Sequence, residues 1–161
     1  MTGPPFSKPP RLNHVAMSVP ADALDADGRA ALCAFYGDVF GFAEHETITV
    51  DRQRLVLGFH TYEQFLFMIA DEPSMRAPRL DHFGLSVATK DEFDEVARRA
   101  AAWKAKEPDA VDLIDPSFED HHGVLRLHSF YVRYRLPLMV ETQYFEWLEP
   151  REPLEERTGA T

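Results

Sequence analysis

Two histidines occur in the same short phrase, written twice along the chain. Leu12-Asn-His14-Val-Ala-Met-Ser18-Val19 aligns with Leu80-Asp-His82-Phe-Gly-Leu-Ser86-Val87, with Leu, His, Ser and Val in common. A single strand histidine is most often structural. Two at equivalent places in a repeat instead point to one shared cation, because neutral imidazole is the commonest protein metal ligand. A third donor stands in Leu138-Met-Val-Glu141-Thr-Gln. A carboxylate between Val140 and Thr142 in a strand is costly to bury unless it is paired or bound to a metal. Two imidazoles and one carboxylate on one side of an ion leave positions open for substrate. That is the facial arrangement of non-haem Fe(II) sites, and Mn, Co, Ni or Zn also suit such donors. The corresponding stretch of the first half, residues 64–70, offers Phe67 and Met68 where the second half has Glu141. It supplies no fourth protein ligand.

The elements that must position these donors follow from periodicity. His14, Ala16 and Ser18 alternate with Val15, Met17 and Val19, and His82, Gly84 and Ser86 alternate with Phe83, Leu85 and Val87. Period two with one apolar face predicts half-buried strands. Each leads into a helix. In the first half, Asp27 is the expected N-cap, Leu32, Phe35, Tyr36, Val39 and Phe40 form the apolar stripe, and Gly41 ends it. The second half opens on a capping box, Thr89 with Glu92, and carries Phe93, Val96, Ala97, Ala100 and Trp103 on one side, with Pro108 closing it. Three strand-like runs follow each helix: residues 42–50, 55–61 and 64–70, then 111–114, 124–133 and 138–147. The predicted organisation is an N-terminal arm (1–10), a βαβββ module (11–72), a linker (73–79), a second βαβββ module (80–149) and a tail (150–161). The two modules are expected to form one domain. The fold class is α+β: tandem βαβββ modules forming a curled eight-stranded sheet cup with helices outside. The cup face carries His14 and His82. By strand parity it also carries Met139, Glu141 and Gln143.

Bulk properties narrow the field. The chain has 161 residues, 45% of them hydrophobic, enough for one packed domain. A net charge of -10 disfavours nucleic acid and anionic lipid as partners. No apolar run is long enough to span a membrane, and the first ten residues do not read as a secretory signal. A single cysteine, Cys33, excludes a disulfide framework and fits a cytoplasmic location. No phosphate-cradling glycine loop or serine-nucleophile turn is present.

The paired Leu-x-His strands, the phrase Phe35-Tyr36-Gly-Asp-Val-Phe40-Gly41-Phe42 and the closing Val140-Glu141 together resemble the vicinal oxygen chelate superfamily, which includes glyoxalases, bleomycin resistance proteins and extradiol dioxygenases. The resemblance runs from Leu12 to Trp147. It implies a divalent metal held by His14, His82 and Glu141, a small-molecule substrate and a homodimer. Three ligands without a fourth resemble the ring-cleaving branch, with Fe(II) and a catechol-like substrate. On that resemblance Tyr131 and His122 have the spacing of the catalytic tyrosine and histidine: Tyr131 would bond a catecholate oxygen and His122 would act as acid/base. The turn between Arg133 and Leu138 departs from the family pattern in having no glycine. Alternation leaves open whether Tyr131 or Phe130 faces the cup, and His128 is the alternative in another register. A glyoxalase-like lyase or isomerase and a non-catalytic drug-binding protein of the same fold are the competing readings.

Overall fold

The structure, a computed structural model, describes residues 11–149. The arm at 1–10 and the tail at 150–161 lie outside them. The element order is β1 (His14–Val19), a 3-10 turn (Ala21–Leu24), α1 (Ala26–Phe40), β2 (Ala43–Glu44), β3 (Arg54–Gly58) and β4 (Phe65–Ala70). The second half follows with β5 (His82–Ser86), α2 (Lys90–Lys106), β6 (Val111–His121), β7 (Leu125–Tyr134) and β8 (Met139–Trp147). This is the tandem βαβββ, α+β arrangement that the sequence predicts. No helix among the described residues is long and apolar enough to cross a membrane.

The helix boundaries have local causes. α1 starts earlier than expected: the Asp25 carboxylate, not that of Asp27, accepts the Gly28 amide at 2.9 Å, and Asp27 sits in the first turn. There its charge complements the positive end of the helix. Gly41 ends α1 with φ 73, a conformation that favours a residue without Cβ. α2 has both halves of the Thr89–Glu92 capping box. The strand expected over residues 42–50 pairs only at Ala43–Glu44. After it the chain turns, with the Ile48 and Thr49 amides both bonded to the His45 carbonyl.

The strands form two four-stranded sheets, β1-β4-β3-β2 and β5-β8-β7-β6. β1 runs parallel to β4 and β5 parallel to β8; the other pairings are antiparallel. Among the described residues β1 and β5 each pair with a strand on one side only, so each is an edge of its sheet, with β2 and β6 at the opposite edges. Met17 and Val19 of β1 are buried while His14 is exposed, as alternation requires. The two halves share one core. Phe35 of α1 stacks on Tyr134 of β7 at 4.7 Å and meets Trp103 of α2 edge-on at 5.4 Å. The Tyr36 hydroxyl donates to the Tyr134 carbonyl (3.2 Å), and the Trp103 indole N–H donates to Asp38 (2.7 Å). Removing polar groups from water is acceptable here because each finds a partner.

Candidate metal centre

Cross-strand register assembles the site in rows. In the second sheet His82 pairs with Met139, and Gly84 pairs with Glu141, which in turn pairs with Tyr131. Residues two apart on a strand share a face, so His82, Glu141 and Tyr131 all lie on the same face. Tyr131, not Phe130, is therefore on the Glu141 side. Phe130 is fully buried on the opposite face, edge-on to Phe93 of α2.

Among the described residues Glu141 is one of two buried polar or charged residues, at 7% exposure. Its Oε1 accepts the Tyr131 hydroxyl at 2.6 Å, and its Oε2 lies 3.3 Å from His82 Nε2. The Tyr131 hydroxyl is correspondingly harder to ionise, first because it donates to the carboxylate and then because of burial. The other ring nitrogen of His82, Nδ1, donates to the Leu80 carbonyl at 2.7 Å. A carbonyl can only accept, so that bond fixes the hydrogen on Nδ1. A neutral His82 then points a lone pair at a carboxylate oxygen. Two acceptors facing each other at that distance call for a cation between or beside them: a proton or a metal. A backbone carbonyl holding Nδ1 is the usual way a metal-binding histidine is oriented. Gly84 contributes by omission, since even its missing Cβ would come to 3.5 Å from Glu141 Oε2. A larger side chain there would cover the carboxylate.

His14 is prepared in the same way but stands apart. Its Nδ1 is 2.9 Å from the Asn13 side-chain oxygen, and its ring stacks on Phe65 at 5.1 Å. Its neighbours in the first sheet are apolar: Phe65 opposite His14 and Phe67 opposite Ala16, the place that Glu141 holds opposite Gly84. No three His, Cys, Asp or Glu side chains among the described residues approach closely enough to share one ion. One chain thus brings His82, Glu141 and Tyr131 together and leaves His14 on the other module.

Compared by sequence, no family model and no curated protein matches the chain. Solved structures do match in shape. A glyoxalase/bleomycin resistance protein/dioxygenase from Alicyclobacillus acidocaldarius superposes with a TM-score of 0.59 at 16% identity, over 96% of this chain and 100% of that one. The chain has the glyoxalase/bleomycin resistance/dioxygenase fold. A lactoylglutathione lyase from Agrobacterium tumefaciens matches at TM-score 0.54 and 21% identity, over 84% of this chain and 95% of that one. A fosfomycin resistance protein from Listeria monocytogenes, solved with Mn(II) and 1S,2S-dihydroxypropylphosphonic acid, matches at 0.56 and 16%, over 91% and 95%.

Within this fold His122, His128 and His45 fall outside the cluster. His122 occupies the exposed tip of the β6–β7 hairpin in a left-handed conformation, φ 58. From Leu125, where β7 begins, to Tyr131 is roughly 20 Å of strand, so a single chain does not bring His122 to Glu141. His128 lies on the helix-covered side, bonded to Glu146 at 2.7 Å and edge-on to Phe93. His45 packs against Tyr62, and its Nε2 lies where a Cβ on Gly58 would fall, 2.4 Å away. The Cys33 thiol is pushed up to about 11 by burial and by Glu44, so it is inert at neutral pH. The Leu80 carbonyl's role is invisible in the sequence, because a backbone acceptor has no signature in residue type.

Proposed function

We propose that this protein is a metal-dependent enzyme that binds a small substrate through two adjacent oxygens. Catechol ring cleavage of the extradiol type is the reaction we favour. The observation that supports it is the His82–Glu141–Tyr131 cluster, with Nε2 and a carboxylate oxygen turned to the same point. Fe(II) is the preferred ion, and Mn, Co, Ni or Zn suit the same donors. Once bound, such an ion supplies Lewis acidity toward vicinal hydroxyls and a redox partner for O2. The protein's own groups do the rest. Leu80 holds His82 in the liganding tautomer. Glu141 offsets the charge of the ion. Tyr131 gives its one hydrogen to a carboxylate oxygen in the free chain and, on the family resemblance, would turn it to a catecholate oxygen when substrate binds.

The third ligand is His14 of a second copy. β1 and β5 are equivalent strands of a repeat, each with one edge unpaired, and unpaired edges invite a partner strand. Setting β1 of one copy beside β5 of another brings His14 next to His82, and two-fold symmetry builds two such sites per dimer. A proton-shuttling lyase wants a second inward carboxylate. The equivalent of Glu141 in the first module is Phe67, which favours the open three-ligand reading.

The test is anaerobic loading with Fe(II), metal analysis, and then O2 uptake over a panel of catechols. One ion per chain, lost in His82→Ala, with O2 uptake on at least one catechol, is the expected result. Metal content unchanged in His82→Ala would overturn the site. Bound metal without O2 uptake would overturn ring cleavage and leave the chelate site standing.

A further inference from the structure

The two modules orient their histidines by different means. Residues 13 and 81 are equivalent: Phe65 stands opposite His14 as Met139 stands opposite His82, and the Asn13 and Asp81 carbonyls accept the Phe65 and Met139 amides, each at 3.0 Å. In the second module the carbonyl two residues before the histidine, that of Leu80, accepts from His82 Nδ1 at 2.7 Å. The matching carbonyl in the first module, that of Leu12, faces a different donor: Gln64 Nε2 lies 3.5 Å from it. Leu138 holds the place of Gln64 in the second module and has no side-chain donor to offer. For His14 the acceptor is instead a side chain, with Asn13 Oδ1 at 2.9 Å from Nδ1. An amide oxygen can only accept, so this bond sets the hydrogen on Nδ1 and leaves Nε2 with its lone pair. Which imidazole nitrogen is free to bind a metal is set by the bond that the other one makes. The Phe65 ring adds a second constraint, stacked on the imidazole at 5.1 Å and 6° from parallel. The stack holds the ring plane, and Asn13 decides which nitrogen carries the hydrogen.

We propose that Asn13 is a positioning residue, which holds His14 in the tautomer that ligates through Nε2 and so does with a side chain what Leu80 does with its backbone. The inference rests on the metal site proposed above, to which it adds a residue that touches neither metal nor substrate. Both Asn13 and His14 are exposed in the single chain, so water competes for their bond. Seating β1 against a second copy, as proposed above, reduces that competition and strengthens the bond. The two modules then differ in how they respond to substitution. The acceptor for His82 belongs to the backbone and survives any change of side chain. The acceptor for His14 is lost with the Asn13 amide, and the hydrogen is then free to move to Nε2, the position that imidazole in water favours.

The test reads the tautomer directly, by nitrogen NMR of the imidazole rings in the full chain after treatment with a chelator, at a pH where the histidines are neutral. Hydrogen on Nδ1 is expected for both His14 and His82 in the parent. Asn13→Ala should move His14 to the Nε2–H form and leave His82 as it was, whereas Asp81→Ala should change neither. Asn13→Asp keeps an oxygen acceptor and should keep the parental tautomer. Zn(II) affinity, read by competitive chelator titration, should fall by about 10–100-fold in Asn13→Ala, the range for an outer-shell partner, and should not fall in Asn13→Asp. Positions 13 and 81 are both exposed, so these variants should fold as the parent does. Hydrogen on Nε2 of His14 in the parent, or an unchanged tautomer in Asn13→Ala, would overturn the proposal. A changed tautomer with Zn(II) affinity unchanged would overturn the positioning role. If Zn(II) affinity is unchanged in His14→Ala as well, the metal-site reading itself fails and the role of Asn13 falls with it.

Discussion

The two modules share one topology and one histidine position, and they differ in what surrounds that histidine. In the second, His82 shares its face with a buried carboxylate, a tyrosine hydroxyl and a glycine that leaves the carboxylate open. In the first, His14 stands beside Phe65 and Phe67, with no carboxylate in the equivalent row. The strands differ as well: β6, β7 and β8 have 11, 10 and 9 residues, against 2, 5 and 6 for β2, β3 and β4. The modules thus share a scaffold, and the second holds the buried carboxylate with its tyrosine and histidine neighbours. The first has a histidine among aromatic neighbours. What they share is the core, where α1 packs on α2 and β7.

That comparison can be broken most strongly at the shared core. Phe35→Ala should cost about 3–5 kcal/mol, and thermal unfolding should remain a single transition if the modules form one cooperative unit. Two transitions would mean that they fold separately. Next in size is the asymmetry of the site. Glu141→Gln should weaken metal binding by more than about 100-fold, beyond the 10–100-fold typical of an outer-shell partner, as read by competitive chelator titration. Phe67→Leu, at the equivalent position, should leave metal affinity unchanged. Thr89→Ala should destabilise by about 1 kcal/mol through loss of the α2 cap, and Asp25→Ala should do the same for α1; chemical denaturation measures both.

The smallest effect is pH-dependent. Arg79 and then Arg133, bonded to Asp112 with closest contacts of 2.7 and 2.8 Å, hold its carboxyl below the usual range. A depressed carboxylate contributes stability above its unfolded pKa and loses it as pH falls through the folded value. Asp112→Asn should therefore lower the melting temperature slightly at neutral pH. The gap to the parent should close on acidification below the ordinary aspartate range. A gap that persists in acid would mean that Asp112 acts through packing rather than charge.

Much of this was legible in the residues. Period-two alternation located β1 and β5, and Thr89 with Glu92 and Gly41 marked helix ends whose capping chemistry is local. Strand parity placed Glu141, because a pleat leaves only two choices. Tyr131 needed the register of β7 against β8, a non-local fact. The shortness of β2 was hidden because residues 45–50 have strand-like types but close a turn through the His45 carbonyl. The separation of His14 from His82 was hidden for a different reason: a repeat predicts equivalent places in two modules, not which edges of those modules meet. His122 had a suitable spacing in sequence, but a hairpin tip carries it away along the strands.

In the proposed dimer, His14 of one copy completes the site of another. This is tested by co-refolding equal amounts of His14→Ala and Glu141→Ala chains and measuring bound metal at equilibrium. Each variant alone should bind none. In the mixture, random pairing makes about half the dimers mixed, and each mixed dimer regains one intact site of two by symmetry. Metal at about a quarter of the parental stoichiometry is the predicted result. A mixture that binds no more than either variant alone would contradict a site shared between chains.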